Sequence, residues 1–278
     1  MPKCCTLPPL EGIVLREEHV TGEDRQLAES LQAAKAAHFD ADGAACDYAA
    51  LVTSRERGRL AACLADLEKF DPKRVRIPAQ TAFWVNVFNA GVLRDIPELE
   101  LAASLGEVQA FFERPRLKIG GRLYALDDVQ HGLLRGNLPK NGRLRPPMLR
   151  DDPRLAYMPI AYDERIHFAM HSACRSSPPL RVFDGGQLDV QFEDASTGYV
   201  RRSVRIEAGG AVVVVPRLLR WYAADFGGER GVLEFVLTRL EDEAAVDLVD
   251  RRRGRVKLQY AAFDWVLNRR EASDGNRS

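Results

Sequence analysis

Apolar side chains recur every three or four positions along the first seventy residues, which is the spacing of amphipathic helices. The first predicted helix runs from a cap at Asp24 to about His38. The second is capped by Ser54 and ends before Asp71-Pro72. Its core-facing stripe consists of Leu60, Cys63, Leu64, Leu67 and Phe70.

A third helix is predicted after Pro78, and residues 81–93 are apolar on nearly every face of it. Such a helix is expected to lie in the centre of the fold. It carries two amides, Asn86 and Asn89, which share one face because they are three residues apart. A buried amide without partners costs about 1–3 kcal/mol. The two amides therefore either bond to nearby backbone and stabilise the packing, or line a polar pocket.

Strand patterns appear in the second half of the chain. Residues 117–124 predict a hairpin with a Gly-Gly turn, and residues 203–215 predict a second one that turns at Gly209-Gly210. Residues 165–171 are typical of a strand that ends in a Ser- and Pro-rich loop. A last strand is predicted near 255–260.

Further helices are predicted between these strands. Asp127 is predicted to cap a short helix that carries His131, and Pro216 to open another. Longer helices are predicted near 187–202 and 229–241. Because helices cluster early and strands gather later, the order predicts an α+β fold. We expect a helix-rich single domain with a central buried helix packed on a small, mainly antiparallel sheet.

The ends of the chain differ from its middle. Residues 1–22 are predicted to be a flexible N-terminal arm, residues 271–278 a disordered tail, and residues 23–270 one domain. Within that domain, residues 136–163 are rich in Pro, Arg and Asp and predict an extended loop.

Composition and charge narrow the classes of partner. The 278 residues include 40 Lys and Arg against 40 Asp and Glu, so no overall field favours nucleic acid or an anionic membrane. No apolar run reaches the roughly 20 residues that cross a bilayer, and the N-terminus lacks a secretory signal. The five cysteines are scattered, which excludes a disulfide framework. We therefore expect a cytoplasmic protein without nucleic-acid or membrane partners.

Several segments together resemble a known family, the domain of unknown function 547. They are residues 47–48 (DY), 82–90 (AFWVNVFNA), 126–135 (LDDVQHGLLR), 165–169 (RIHFA), 176–180 (SSPPL), 221–226 (WYAADF) and 263–268 (FDWVLN). They stand in the order found in that family and cover roughly residues 28–270. The resemblance implies one domain over nearly the whole chain, and it implies no established activity.

Three positions depart from the pattern of that family. The family commonly has Cys where this chain has Ser177, and often another Cys at Ser172. It often has Glu at the position of Gln130. Two thiols and a carboxylate are thus replaced by two hydroxyls and an amide, so chemistry based on a thiol would be lost here.

The histidines are candidates for a general base or for metal ligands. His131 is either a packing residue that bonds to backbone or a general base, since a pKa of about 6.5 suits that role. His167 and His171 suggest a metal site, but four residues of strand span about 13 Å, too far for both rings to bind one zinc ion. No Gly-rich phosphate loop is present either. We expect no metal and no cofactor.

The loop after residue 171 offers hydroxyl groups. Ser176 and Ser177 precede Pro178-Pro179, and a rigid loop of this kind either presents a nucleophile or forms a turn whose hydroxyls bond to backbone. A serine is a weak nucleophile unless a base takes its proton. Cys174 is expected to be buried and inert. Asp264 would either orient a histidine or cap a turn.

Three functions remain open. The leading hypothesis is a polar pocket that binds a small molecule or a peptide segment, lined by Asn86, Asn89, His131, His167, Ser176, Ser177 and Asp264. The second is a hydrolase or acyl-transferase with a papain-like or transglutaminase-like mechanism. Ser177 or Ser176 would then be the nucleophile, and His131 or His167 the base. The third is a protein-interaction scaffold that uses the loop 136–163. The sequence does not set the ligand or the oligomeric state.

Overall fold

The computed structural model describes residues 22–100, 105–140, 143–252 and 254–270. The α-helices of these residues are α1 (Gly22–His38), α2 (Tyr48–Val52), α3 (Arg55–Asp66), α4 (Ile77–Arg94), α5 (Ile96–Glu100), α6 (Leu105–Glu113), α7 (Leu188–Ser203), α8 (Arg217–Trp221), α9 (Gly228–Leu237) and α10 (Glu243–Asp250). The strands are β1 (Leu117–Ile119), β2 (Arg122–Tyr124), β3 (Arg205–Glu207), β4 (Val212–Val215) and β5 (Lys257–Tyr260). Short helices with tighter or wider turns are Leu67–Lys69, Pro72–Arg74, Asp128–Leu134, Pro153–Tyr157, Glu164–Phe168, Ala208–Gly210 and Ala223–Phe226.

Helix α4 lies in the middle of the fold, as its apolar faces predict. Residues 82–93 are buried. Helix α4 is contacted by α1, α3, α7 and the helix Asp128–Leu134. Trp84 also packs on Tyr124 of the first hairpin, with ring centroids 5.5 Å apart, and its indole donates to the Tyr157 carbonyl at 3.0 Å. A helix enclosed in this way positions the segments around it.

The strands form two small sheets. Strands β1 and β2 pair antiparallel around Gly120 and Gly121, whose positive φ angles of 58° and 70° suit glycine. Strands β3 and β4 also pair antiparallel, which confirms both predicted hairpins. Strand β5 joins β4 in parallel, a pairing that the sequence pattern did not predict. The result is a helix-rich α+β fold with one small antiparallel sheet and one mixed sheet.

The buried apolar side chains form a single cluster that extends from Leu27 in α1 to Val249 in α10. The predicted arm over residues 1–22 lies outside the described residues except for Gly22, where α1 begins. The predicted tail over residues 271–278 also lies outside them. The division into arm, domain and tail therefore stays a prediction.

The predicted strand over residues 165–171 is wrong. Residues Glu164–Phe168 form a short 3-10 helix, and the Asp163 carboxylate caps it by accepting from the Arg165 amide at 2.9 Å. His167 and Phe168 are both fully buried. Because neighbours on a strand point to opposite sides, burial of successive residues removes the alternation that identifies a strand.

Two predicted helix caps are also wrong. Asp127 has helical backbone angles (φ −63°, ψ −33°) and its side chain makes no capping bond. The neighbouring Asp128 instead accepts from the Ala125 amide at 2.9 Å. Asp24 lies within the first turn of α1, which begins at Gly22. Ser54 does cap α3, accepting from the Arg57 amide at 3.1 Å.

Several short elements were missed, namely α2, α5, α6 and α10. The described part of the predicted loop 136–163 contains a single 3-10 turn of helix, Pro153–Tyr157, and no strand. Among the described residues, no helix has the length and apolar character that a membrane crossing requires.

Candidate functional site

A cavity of about 220 Å³ opens between the helix Asp128–Leu134, the 3-10 helix Glu164–Phe168 and α8. We call it the cleft. Its polar lining residues are Gln109, Asp127, Gln130, His131, Lys140, His167 and Ser172. Its apolar lining consists of Phe88, Phe112, Met170, Pro178, Leu218, Trp221, Tyr222, Phe263 and Trp265. The cleft thus contains both histidines that the sequence proposed as bases.

His167 is held by a carboxylate. Its Nε2 atom lies 2.8 Å from Oδ2 of Asp225, and its ring stacks on Tyr222 with centroids 3.7 Å apart. The side chains of His167 and Asp225 are 0% and 2% exposed, so their contact is shielded from water. Burial lowers the pKa of His167, and the bond to Asp225 offsets that effect only in part. The ring is therefore neutral at pH 7.

Asp225 is bonded to three side chains from distant parts of the sequence, namely those of His167, Arg135 and Tyr162. Arg135 donates to both of its oxygens, at 2.6 and 2.7 Å, and the Tyr162 hydroxyl donates at 2.7 Å. Burial alone raises the pKa of the Asp225 carboxyl, but the bonds from Arg135, His167 and Tyr162 outweigh it and hold that pKa well below its usual value. Asp225 is therefore ionised and can only accept hydrogen bonds.

These contacts determine the tautomer of His167. Since Asp225 only accepts, the imidazole donates through Nε2, and a neutral ring that donates there keeps an unprotonated Nδ1. That Nδ1 atom is buried and has no hydrogen-bond partner among the described residues. A buried polar atom without a partner costs about 1–3 kcal/mol, so it points to a missing donor such as a ligand or a water molecule.

His131 shows the same feature. It is 1% exposed, and its Nδ1 atom has no partner among the described residues. Its Nε2 atom lies 3.9 Å from Asp127 Oδ1, beyond hydrogen-bond distance. Burial, together with the positive charges of Arg135 and Lys140, lowers the pKa of His131 well below its usual value.

Gln130 and Tyr222 line the cleft together with the two histidines. The Gln130 amide donates to the Tyr222 hydroxyl at 2.9 Å. The Tyr222 ring lies against His167 and within 6.0 Å of His131, measured between centroids. The amide at position 130 therefore orients an aromatic ring and is one of the lining groups of the cleft.

Three aromatic side chains form one wall of the cleft. Ring centroids of Phe263 and Trp265 are 4.5 Å apart, those of Trp221 and Phe263 4.8 Å, and those of Trp221 and Trp265 5.9 Å. Each of these residues is half-buried. A wall of partly exposed rings offers apolar and stacking contacts to a ligand.

Comparison with known proteins finds one similar family and nothing narrower. The model of the family described as "Protein of unknown function, DUF547" matches residues 72–200. Residues 72–200 are thus similar to the DUF547 family, and we call them the DUF547 segment. No curated protein and no solved structure matches the chain.

The DUF547 segment supplies most of the lining of the cleft. His131, His167 and Ser172 lie within residues 72–200, whereas Asp225 and the aromatic wall follow that segment in the sequence. The partners that orient His167 and enclose the cleft therefore come from outside the matched residues.

Within the DUF547 segment, Ser177 lies away from both cleft histidines. Its Oγ atom accepts from the Ser172 amide at 2.8 Å and donates to the Pro178 carbonyl at 3.0 Å. The nearest imidazole is that of His171, with Nδ1 3.4 Å from the hydroxyl, but this Nδ1 donates to the Pro178 carbonyl at 2.8 Å. Ser177 therefore acts as a turn-forming hydroxyl in this structure.

Ser176 and Asp264 bond to each other in a turn outside the cleft. The Ser176 hydroxyl accepts from the Asp264 amide at 2.8 Å. The Asp264 carboxylate accepts from the Val266 amide at 2.9 Å, and its side chain is 45% exposed. Neither residue lines the cleft.

Asn86 and Asn89 bind backbone, as the structural interpretation expects. Asn86 exchanges two hydrogen bonds with the backbone of Phe183, at 2.8 and 3.0 Å. Asn89 donates to the Ala169 carbonyl at 3.1 Å and the Arg181 carbonyl at 3.3 Å, and accepts from the His171 amide at 2.8 Å. Both amides connect α4 to the segment 169–183 and lie outside the cleft lining.

Ser172 is the hydroxyl that does line the cleft. Among the described residues, its hydroxyl makes one weak side-chain contact, to Cys174 Sγ at 3.8 Å, so it keeps hydrogen-bonding capacity for another partner. Burial raises the pKa of the Cys174 thiol to about 12, so this cysteine is an inert thiol at neutral pH.

Residues 165–171 are not a strand, so the spacing along a strand does not keep His167 and His171 apart. His167 bonds to Asp225, whereas His171 bonds to the Pro178 carbonyl. Among the residues that the structure describes, no group of three or more His, Cys, Asp or Glu side chains is arranged to hold a metal ion.

Sequence reasoning missed the residues that organise the cleft, above all Asp225, Arg135 and Tyr222. All three stand in segments that carry the family resemblance, at residues 126–135 and 221–226. The available signal was an arginine at the end of one such segment and an aspartate in another, two opposite charges that can pair. A buried charge requires a partner, so this pairing was open to inference.

Proposed function

We propose that the cleft binds a small organic molecule, or a side-chain-sized part of a larger one. The observation that carries the proposal is that two buried histidines line one cavity and each keeps a ring nitrogen without a partner. Binding sites combine an apolar lining with a few convergent polar groups, and the aromatic wall together with these histidines fits that description.

The first test is a ligand screen that uses both tryptophan fluorescence and thermal stability. Of the three tryptophans, Trp221 and Trp265 line the cleft, while Trp84 is buried in α4. A ligand of the cleft should change the fluorescence of Trp221 and Trp265 and raise the melting temperature. The fluorescence change should persist in a Trp84→Phe variant.

The variants that localise such a ligand follow from the contacts. His131→Ala removes one unpartnered nitrogen, and His167→Gln removes the other while its amide still donates to Asp225. Both should weaken binding, whereas His38→Gln should not, since His38 pairs with Glu56 outside the cleft. A broad library that produces no stabilising hit would contradict the proposal.

Acyl transfer is the second candidate function, favoured by Ser172 and the carboxylate-held His167 in one cleft. The Ser172 oxygen would attack an ester or amide carbonyl as its proton passes to His167 Nδ1. That proton would then leave with the alcohol or amine, and water would release the acid from Ser172. This assignment replaces Ser176 and Ser177 as the nucleophile.

A direct test is the hydrolysis of p-nitrophenyl acetate, with mass spectrometry of the protein during turnover. A Ser172-dependent reaction predicts an acetyl adduct on residue 172, which Ser172→Ala and His167→Gln both abolish. Equal rates in wild type and Ser172→Ala would exclude this second function and leave the binding function intact.

The scaffold hypothesis for the loop 136–163 stays a prediction. Leu144, Leu149 and Ile160 of this loop are 98%, 77% and 75% exposed, which is the observation in its favour.

A further inference from the structure

We propose that the cleft selects ligands in which an N–H or O–H donor stands next to an apolar ring, and that it discriminates against carboxylates and phosphates. The inference rests on the proposed binding function and names the class of ligand that the same site accepts.

The charges of the lining argue against an anion. Among the described lining residues, Lys140 is the one with a permanent positive charge. Its ammonium group lies 2.6 Å from Asp127 Oδ2 and 3.2 Å from Glu113 Oε1, so two carboxylates already surround it. An anionic ligand would lose its hydration in the cleft without gaining a cation, which is unfavourable.

The donor requirement follows from His167. Its Nε2–H is used by Asp225, so Nδ1 can take part only as an acceptor. A carboxylate or phosphate oxygen cannot donate to that atom, whereas an amine, an amide N–H or a hydroxyl can. The unpartnered Nδ1 of His167 therefore requires a ligand that donates a hydrogen bond.

The apolar part of the ligand is indicated by the aromatic wall. Trp221, Phe263 and Trp265 present aromatic surface, and the negative face of such rings also attracts an ammonium group. The volume of about 220 Å³ is somewhat larger than the ~150 Å³ of a protein cavity that binds benzene. One ring with a short polar substituent is the matching size.

The experiment uses four probes with the same phenyl ring: benzylamine, benzamide, benzoate and toluene. At pH 7.5 they carry a cationic donor, a neutral donor, an anionic acceptor and no polar group. Binding to the full chain is measured by tryptophan fluorescence and by protein-observed NMR. We expect benzylamine and benzamide to bind about tenfold more tightly than benzoate or toluene.

Two variants make the test specific. His167→Gln should reduce the preference for benzamide over toluene to less than about twofold. Asp127→Asn releases one of the two carboxylates from Lys140 and should strengthen benzoate binding, a gain that a damaged fold cannot produce. The control His38→Gln should reproduce the wild-type order of affinities.

The outcomes separate the inference from the function on which it rests. If benzoate binds in the cleft as tightly as benzamide, the selectivity is wrong and the binding function stands. If none of the four probes binds up to its solubility limit, both the selectivity and the proposed function are contradicted.

Discussion

His171 shows how a buried side chain can be important without belonging to the cleft. It is fully buried, its Nδ1 donates to the Pro178 carbonyl, and its Nε2 has no partner among the described residues. Burial lowers the pKa of His171 to about 4, and the bond to Pro178 opposes that shift only weakly. A neutral imidazole therefore holds the turn that contains Ser177.

This pKa predicts how stability depends on pH. Below pH 6.5 the unfolded chain binds a proton at residue 171 that the native protein does not bind until about pH 4. The free energy of unfolding should therefore fall as the pH falls through this window, by about 3 kcal/mol from this residue. Urea unfolding at pH 7.0 and 4.5 measures the change.

The matched variant is His171→Asn, whose amide can donate to the same carbonyl but does not titrate. Because His131 and His167 also have lowered pKa values, the difference between wild type and variant isolates residue 171. An identical loss of stability in both proteins would show that His171 is not the cause.

Individual residues were only partly predictable from the sequence. The cap at Ser54 depends on neighbours within three positions, and it was found. The interpretation of His167 depends on Asp225, which is 58 positions away, and no local pattern could show that contact. The roles of Ser177 and Ser172 were likewise decided by which hydroxyl faces the cleft.

At the level of elements, the turn that carries Asp225 is stabilised by close packing against α9. A Cβ atom at Gly231 would lie 1.5 Å from the Phe226 carbonyl oxygen, a backbone atom that cannot move alone. Gly231 therefore keeps the helix Ala223–Phe226, and with it Asp225, in contact with α9.

We predict that Gly231→Ala destabilises the protein by about 3 kcal/mol or more, because the new methyl group overpacks a backbone contact. The control is Gly58→Ala in α3, where nothing lies within 4 Å of the added atom. That exposed helical position should gain about 0.5–1 kcal/mol from the higher helix propensity of alanine. Equal effects of the two changes on thermal unfolding would contradict this packing account.

Elements with a one-sided apolar pattern were predictable, whereas buried short ones were not. The stripe of α3 and the Gly-Gly turns identified their elements, because each pattern reflects a contrast between core and solvent. The segment 165–171 is buried on successive residues, so it lacks that contrast and was mistaken for a strand. The parallel pairing of β4 and β5 links segments more than 40 residues apart and leaves no local signal.

For the whole molecule, Asp225 connects regions that are distant in sequence. It bonds to Arg135 after the His131 helix, to Tyr162 in the loop 136–163 and to His167. One carboxylate therefore connects three parts of the DUF547 segment to the residues that follow it, and its loss should reduce global stability.

Asp225→Asn should cost about 3–5 kcal/mol, since it leaves the buried Arg135 guanidinium without its anion. Asp264→Asn, at an exposed carboxylate, should change stability by less than about 0.5 kcal/mol. Adding Arg135→Met to Asp225→Asn should recover part of the loss, since the unpaired charge is then gone. A cost at Asp225 no larger than at Asp264, measured by urea unfolding, would refute the buried ion pair.

The central claim is that His167 in the cleft is neutral and that its Nδ1 accepts a hydrogen bond from a ligand. The most direct test is ¹⁵N NMR of the histidine side chains. At pH 7 we expect the Nε2–H tautomer at His167, and a shift of its Nδ1 resonance when benzylamine is added, while His38 stays unchanged. A protonated Nδ1 at His167, or a resonance that benzylamine leaves unmoved while His38 responds, would contradict the account.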